Sequence, residues 1–458
     1  MNTQIPEAYS HQTDTTKFVI KNPRCLITSD PGTGKTRAVL DAHVTLGGKT
    51  LVLAPLSILE AAWVEDIVKF QPTIKYGVAY AKNRAKIFND SSYQMVITNF
   101  EAVNFLRKNL HLLNTFNTIV IDEFTAFKNR QAKRSKNLKT IISHFNNRIA
   151  MSGTPNTNSI LDIWHPTLLV DDGKRLGDRF YSFRNQVCTP QFNGFANEWK
   201  DKPGIEEVVA DKLKDITIRH ALEDCIDLPD KIVRNVYTTL SPTVARMYKT
   251  LADESVLYTQ QGTINAVNAG ARVKKLLQLV SGGVYDQDGV AQYFHQERYN
   301  LVMDLVEERK HSLVAFNWKH ERDALITIAK KKKISYELID GSVPAQKRKD
   351  IVARFQAGQL KVLFAHPQSA GHGLTLTRAT TCIWCSPTYN AEHFQQFNRR
   401  IYRAGQTSKT ETILISAKNT WEEEVYVKLN TKLGRMENLL HINILSELNN
   451  GQQQNDLS

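Results

Sequence analysis

Cysteine is scarce. Five stand in 458 residues, at Cys25, Cys188, Cys225, Cys382 and Cys385, scattered and odd in number. That suits a reducing compartment better than a disulfide framework. Long apolar runs are missing as well. None is long enough to cross a bilayer, and Met1-Asn2-Thr3-Gln4 does not open a secretory signal. With no targeting signal read, the expected place is the cytoplasm. Metal–thiolate chemistry has one formal candidate, Cys382-Ile383-Trp384-Cys385. It lies in a run that reads as a buried strand, where positions i and i+3 face opposite sides. No second Cys/His pair stands at zinc-finger spacing, so no metal–thiolate site is expected. No short repeat is visible, and any likeness between parts of the chain lies in pattern rather than residues.

Acidic residues are outnumbered: 59 Lys and Arg against 46 Asp and Glu give a net charge of +13. Lys128, Arg130, Lys133, Arg134, Lys136 and Lys139 form one basic block, and Lys330 to Lys333 another. Taken singly, each block reads as a solvated helix face or a charged helix end. The overall balance favours a polyanionic partner through counterion release. Hydrophobic residues at 41% and charged residues at 23% allow sizeable cores. At 458 residues the chain exceeds one compact domain, and two or three are expected.

Short apolar runs alternate with helical patterns in the first part. Strands are expected over Arg24–Thr28, Thr50–Ala54, Met95–Thr98, Thr118–Ile121 and Arg148–Met151, with helices such as Ser57–Phe70 and Ser135–Phe145 between them. The rhythm returns late, with strands near Leu313–Phe316, Tyr336–Ile339, Val362–Ala365, Thr381–Cys385 and Thr412–Ile415. Helical patterns intervene at Lys319–Lys332, Pro344–Phe355 and Asn390–Ile401. Such a βαβ rhythm predicts parallel sheets covered by helices. The stretch from about Asn156 to Arg298 reads as mainly helical and loop-like, rich in aromatics (Phe180, Tyr181, Phe183, Phe192, Phe195, Trp199). Those rings are expected in a core, or else as a wedge at a nucleic-acid junction. The end, from Asn449 to Asn455, is polar.

Residues 30–36 read Asp30-Pro31-Gly32-Thr33-Gly34-Lys35-Thr36, directly after the apolar Cys25-Leu26-Ile27. That is a strand, a glycine loop and a helix start. Backbone N–H groups of Gly32, Thr33 and Gly34 can surround a polyphosphate, and the helix aims its positive end at the anion. Lys35 supplies a point charge to the β- and γ-phosphates, and the Thr36 hydroxyl can hold Mg²⁺. The expected fuel is a nucleoside triphosphate. Ser29 stands where the usual pattern has glycine.

Ile119-Val120-Ile121-Asp122-Glu123 is an apolar run that ends in two acids. In a parallel sheet both carboxylates reach the carboxyl edge, where the phosphate loop also sits. Asp122 is expected on Mg²⁺, and Glu123 on the attacking water. Ser152-Gly153-Thr154-Pro155 follows another strand and by itself is a capped Gly/Pro turn. Arg400 and Arg403 stand three apart on an expected helix, hence on one face. Two guanidiniums there can reach phosphate oxygens or form a surface salt-bridge stripe.

Together these stretches resemble superfamily 2 helicases. Asp30–Thr36, Asp122-Glu123, Ser152–Pro155 and Gln396–Gln406 follow the order of motifs I, II, III and VI. Further stretches are similar to the Snf2 branch. Leu51–Ser57 with Trp63 resembles motif Ia, and Val96–Glu101 resembles Ib. Asp122–Asn129 followed by Ser135 resembles the Snf2 form of motif II. Ile218-Arg219-His220 with Leu228-Pro229 and Tyr248 resembles the linker after the first lobe. Gly371–Leu376 resembles motif V, and Arg403–Thr407 the Snf2 form of motif VI. Motif II departs from the common spelling: Phe124 and Thr125 follow the acids.

The resemblance implies an α/β fold of two RecA-like parallel-sheet lobes in tandem with a mainly helical middle. Residues 1–165 would form the ATP-binding lobe, 166–295 a helical insertion and linker, 296–445 the second lobe, and 446–458 a polar tail. It implies ATP and Mg²⁺ on Lys35, Thr36, Asp122 and Glu123, with Arg400 and Arg403 as arginine fingers. Gln12 matches a glutamine that reads adenine, and Ser152 and Thr154 would link hydrolysis to lobe movement. Pro55, Ser57, Thr98, Asn99, Gly373 and Thr375 fall where the family contacts the phosphate backbone. The expected activity is that of a DNA-dependent ATPase on duplex, forked or branched DNA. An RNA helicase of the same superfamily and a nucleotide-gated clamp that does not translocate are the alternatives. The chain is expected to act as a monomer, without a membrane. It is similar to compact viral or bacterial relatives, which implies the cytoplasm of a bacterium or of a virus-infected cell.

Overall fold

The computed structural model describes residues 5–435, apart from 156–158, 193–196, 260–261, 266–267, 287 and 371–372. Phe195, the Gly371-His372 start of the stretch likened to motif V, the expected lobe end over 436–445 and the polar tail lie outside the described residues. Backbone contacts divide the chain into two units, Met1–Asp227 with Lys432–Ser458, and Leu228–Thr431. The stretch expected as a separate middle, 166–295, is thus shared between them.

In the first unit the strands are β1 (Arg24–Ile27), β2 (Lys49–Ala54), β3 (Tyr76–Ala79), β4 (Met95–Asn99), β5 (Phe116–Asp122), β6 (Asn147–Met151), β7 (Cys188–Phe192), β8 (Asn197–Asp201) and β9 (Thr217–Ile218). Seven of them form one sheet in the order β3-β4-β2-β5-β6-β1-β9, with every pairing parallel. Parallel neighbours need crossovers, so helices cover both faces. Alternate residues point to opposite sides. Leu26, Leu51, Leu53, Ile119 and Ile121 enter one core, and Cys25, Ile27, Val52, Ala54 and Val120 the other. Helices α1 (Ser10–Lys21) and α2 (Lys35–Leu46) lie on the second of these faces, contributing Val19, Val39 and Leu40.

Register decides where the chemistry falls. Ile27 pairs with Met151, and Met151 pairs with Asp122. The chain therefore leaves β1, β5 and β6 in one row at the carboxyl edge of the sheet. In an open parallel sheet that edge is where ligands bind.

The second unit holds β10 (Lys231–Thr238), the hairpins β11 (Val256–Thr259) with β12 (Gly262–Asn265) and β13 (Gly283–Tyr285) with β14 (Ala291–Tyr293), then β15 (Ser312–Ala315), β16 (Tyr336–Ile339), β17 (Val362–Ala365), β18 (Thr381–Trp384) and β19 (Thr410–Ala417). Its main sheet is also all parallel, in the order β10-β19-β18-β15-β17-β16. Two parallel-sheet α/β lobes in tandem are thus present. In chain order the helices Phe180–Val187 and Ile205–Leu213 precede β9, and Pro242–Glu254 and Ala269–Ser281 follow β10, with short hairpins beside them. The C-x-x-C cysteines are fully buried in the second unit, and burial raises both thiols. Arg298 and Glu422, also fully buried, form a two-pronged pair at 2.7 and 2.6 Å that fastens the helix Glu297–Glu307 to the first turn of the chain's last described helix. Among the described residues, no helix is long and apolar enough to cross a membrane.

Candidate active site

The loop after β1 is built to present its backbone. Gly32 and Gly34 hold φ of +94° and +81°, the left-handed region that side chains resist. At Gly34 space is also closed: a Cβ would stand 2.1 Å from Gln12 Nε2. Gly34 then caps α2, whose free N–H groups and dipole favour an anion there. Lys35 opens α2 and folds back over the loop, donating to the carbonyls of Ser29 at 2.8 Å and Asp30 at 3.0 Å. Burial pushes the Lys35 ammonium below its ordinary value, while Glu123, Asp122 and Asp30 pull it back up. Thr36 follows in the first turn of α2.

The loop is propped from two sides. From α1, His11 Nε2 and Gln12 Nε2 both donate to the Thr33 carbonyl, at 2.8 and 3.3 Å. Gln12 Oε1 accepts from the Tyr9 amide at 3.2 Å. From the segment after β9, Arg219 pairs with Asp30 at 3.1 Å and donates to the Thr28 carbonyl at 2.9 Å. His220 donates its amide to Ser29 Oγ at 3.0 Å, and the Asp30 amide donates to the His220 carbonyl at 3.0 Å.

Asp122 is the last residue of β5, and Glu123 turns into the left-handed region at φ +52°. A side chain held there is a local strain of the kind found at functional sites. Trp63 Nε1 donates to Asp122 Oδ2 at 2.9 Å, and the Glu123 amide donates to Asp122 Oδ1 at 3.0 Å. Trp63 comes from Leu59–Val64, one wide π turn where a continuous α-helix is predicted over Ser57–Phe70. Such turns re-aim a side chain, and here the re-aimed group is the indole. Burial, then the Glu123 charge, raises Asp122 well above the ordinary carboxylate range; Trp63, Lys35 and the Glu123 amide oppose this.

Ser152 connects the acid to the strand beside it. Its hydroxyl donates to Glu123 Oε2 at 3.0 Å and accepts from the Thr154 amide at 3.2 Å, and its own amide donates to the Ile27 carbonyl at 3.0 Å. Thr154 Oγ1 is buried without a hydrogen-bond partner among the described residues. Phe124 is fully buried in the core behind the acids. Asp122, Glu123 and Ser152 are therefore one hydrogen-bonded group, tied through the Ile27 carbonyl to the strand that leads into the phosphate loop, on one sheet edge. The arrangement suits a triphosphate with a hard cation. Among the described residues no three His, Cys, Asp or Glu side chains make a self-sufficient metal cluster. Mg²⁺ needs only one or two protein oxygens when phosphates supply others, which Asp122 and Thr36 can provide.

The residues assigned to backbone contacts are more mixed. Thr98 is fully buried and donates its hydroxyl to the Ala79 carbonyl at 2.7 Å, bracing β3 against β4. Asn99 bridges Glu101 and Arg84 at 2.5 and 2.9 Å. Pro55 and Ser57 are half-buried after β2.

In the second unit, the helix predicted to carry Arg400 and Arg403 stops earlier, spanning Ala391–Asn398. Both arginines lie in the turns that follow, with Gly405 at φ +90°. A shared helix face is therefore corrected to a shared acceptor. Arg400 Nη1 and Arg403 Nη1 both donate to the Leu374 carbonyl, at 3.2 and 3.0 Å. Gln406 Nε2 donates to the carbonyls of Thr377, Ala379 and Ile401 at 3.0–3.1 Å. These bonds fasten the segment of Gly373 and Thr375, both half-buried, to the arginine turn.

Arg219, His11 and His220 belong to the site without a sequence signal of their own. Arg219 and His220 lie in the linker-like stretch, and nothing local to it shows that they face the loop. The motif that holds Trp63 carries no sign of its bond to Asp122.

Comparison with known proteins agrees with this geometry. The family model of the SNF2-related domain matches residues 10–282, and that of the Helicase conserved C-terminal domain matches 297–405. Protein p41 of Acyrthosiphon pisum secondary endosymbiont phage 1 is 28% identical, over 96% of this chain and 99% of its own length. An uncharacterized ATP-dependent helicase, MG018 of Mycoplasma genitalium, is 26% identical over 89% of this chain and 39% of its own length. The mouse DNA annealing helicase and endonuclease ZRANB3 is 24% identical over 90% of this chain and 38% of its own. The chain thus spans nearly all of the phage protein and about two fifths of the two longer relatives.

Proposed function

This chain belongs to the SNF2-related family of ATP-dependent helicases, and from that premise we propose that it is a DNA-dependent ATPase that moves along duplex, forked or branched DNA. The observation that carries the reading is the row at the carboxyl edge of the first sheet: the phosphate loop beside the hydrogen-bonded Asp122, Glu123 and Ser152. Lys35 exchanges its two loop carbonyls for the β- and γ-phosphates. Thr36 and Asp122 would hold Mg²⁺, which when bound would neutralise phosphate charge. Glu123 orients and deprotonates the attacking water, and Gln12 faces the adenine. Arg400 and Arg403 are carried over from the family motif as the cations that stabilise the charge developing on the phosphoryl group.

Ser152 reports the state of Glu123 to β6 and, through Thr154, to the chain beyond it. Thr154 Oγ1, unpartnered among the described residues, is the group available for a new bond when Ser152 moves. Backbone phosphates are met by Pro55, Ser57, Asn99, Gly373 and Thr375, with Thr98 holding the strand beneath. Contacts of this kind give strong salt dependence and little sequence preference. The excess of 13 positive charges supports a polyanion as partner, and a relative named as a DNA annealing helicase supports branched DNA. We keep the functional lobes as 1–165 and 296–445 with 166–295 as an insertion and linker that lends β9 to the first sheet and β10 to the second, acting as a monomer in the cytoplasm of a bacterium or an infected cell. Lys35→Ala tests the reading. ATP turnover should vanish while nucleotide-free DNA affinity stays within about twofold of the parent, since phosphate contacts elsewhere set it. A variant that still hydrolyses ATP at the parent rate refutes it.

A further inference from the structure

Away from the phosphate loop, the first unit carries rings and guanidiniums in alternation. Trp164, buried in the core, meets Phe180 edge-on at 5.4 Å. The Arg130 guanidinium lies 4.5 Å from the Phe180 ring centre and 4.9 Å from that of Tyr181. Arg184 continues the series, 5.0 Å from Tyr181 and 3.7 Å from Trp199. Trp199 stands in β8 directly opposite Pro190 of β7. Phe192 is two residues beyond Pro190, so it shares that face of the hairpin and extends the series outward.

Packing alone does not account for these groups. Rings kept for a core are covered, yet Phe192 is 73% exposed and Tyr181 57%. Neither guanidinium is paired with a carboxylate among the described residues. Among the described residues, the side-chain acceptor of Arg184 is Asn185 Oδ1 at 3.5 Å, and its Nε is buried without a partner. Residues 128–139, which supply Arg130, contain six basic side chains and no acidic one.

We infer that this series holds the unpaired strand of a branched DNA. A guanidinium held over a ring by its carbon keeps terminal N–H groups for phosphate oxygens, which it can meet in pairs as lysine cannot. An exposed ring stacks on a base face only where that face is open, which a continuous duplex does not offer. Alternating rings and cations also accept any base, as a moving protein requires. The inference rests on the DNA reading above and deepens it by locating the contact to single strand.

The test compares a fork with single-stranded arms against a blunt duplex of equal paired length, without nucleotide. Phe192→Ala and Tyr181→Ala should each weaken fork binding about tenfold, as expected for one lost base stack. Affinity for the blunt duplex should stay within about twofold of the parent. Arg130→Ala with Arg184→Ala should flatten the salt dependence for single strand by about 1.4 in log–log slope, two phosphates at about 0.7 each. Phe192 packs against so little that its removal leaves the fold intact, and its melting temperature checks this. Equal losses on fork and duplex, or unchanged fork affinity in both ring variants, overturn the inference alone. A parent protein that binds no DNA and gains no ATPase activity from it overturns the function reading as well.

Discussion

Arg219 is the support of the phosphate loop whose removal should matter most. Its guanidinium and the Asp30 carboxylate are nearly closed to solvent, with 5% and 10% of their side chains exposed. Their contact is 3.1 Å, and a second prong reaches the Thr28 carbonyl at 2.9 Å. Asp30 also accepts from the Leu222 amide at 3.3 Å, so the aspartate would keep a neutral donor and the Lys35 charge but lose its paired guanidinium. Removing one partner of a buried ion pair costs about 3–5 kcal/mol, most of it the penalty on the charge left behind. In a unit of this size, 1 kcal/mol shifts melting by roughly 2–4 °C, so Arg219→Ala should lower the first unit's transition by roughly 6–20 °C.

The functional consequence follows from geometry. Ser29 and Asp30, whose carbonyls hold the Lys35 ammonium, are the residues that Arg219 and His220 fix. A slack loop loses its preorganisation, and nucleotide affinity should fall by at least about tenfold, the effect of 1.4 kcal/mol. DNA affinity without nucleotide should not follow. Scanning fluorimetry and titration with a fluorescent ATP analogue give both numbers. Adding Asp30→Asn to Arg219→Ala should recover part of the stability, because it removes the stranded charge. If Arg219→Ala melts within 2 °C of the parent, a bound of about 1 kcal/mol, and binds nucleotide equally well, the loop is not held from this side.

Two further outcomes are expected. Arg403→Ala should leave nucleotide affinity within about twofold of the parent but reduce DNA-stimulated turnover by about 10³-fold, the typical worth of an arginine finger; full stimulation in a steady-state ATPase assay rules that role out. His165 donates its Nδ1 proton to the Phe127 carbonyl at 2.7 Å, and burial pushes its pKa down to about 4. The unfolded chain titrates near 6.5, so between these values it binds a proton that the native state refuses. That stability is complete above about pH 6.5 and drains as pH falls toward 4, at up to about 1.4 kcal/mol per unit. His165→Asn keeps a donor and cannot titrate, so its urea midpoint should fall less than the parent's between pH 7 and pH 5; equal losses would falsify the assignment.

Much of the sheet framework was legible because buried parallel strands are short apolar runs with turn residues on either side. Tyr336–Ile339 and Val362–Ala365 agree with expectation residue for residue. The strands that escaped lack that signature. β9 is two residues long, too short for any period to show, and β10 is an edge strand with most side chains exposed, held by backbone bonds to β19. The helix expected over Ser57–Phe70 shows the opposite failure. Its period is helical, but its middle widens into a π turn and Trp63 bonds to Asp122, a demand from a residue 59 positions away that no local window contains.

The same division runs through the site. Glycine loops and paired acids declare themselves because a phosphate cradle needs backbone that only glycine supplies, and a metal needs carboxylates at a strand end. Lys35, Thr36, Asp122 and Glu123 are legible for that reason. What holds them is not, since a prop is chosen for reach rather than chemistry. Arg219 stands 189 residues from Asp30 in the chain and meets it because the two-residue β9 lies beside β1. Arg400 and Arg403 make the point from the other direction. Their spacing suggested one helix face, yet the helix stops at Asn398, whose side chain is taken by the Trp384 indole at 3.0 Å. The turn beyond then brings both guanidiniums to one carbonyl. The juxtaposition is real although the helical reason offered for it fails. The pair therefore has to be tested at its observed acceptor: removing Arg403 leaves the Leu374 carbonyl with Arg400, so a loss of turnover without a loss of folding reports on phosphate chemistry rather than on the turn.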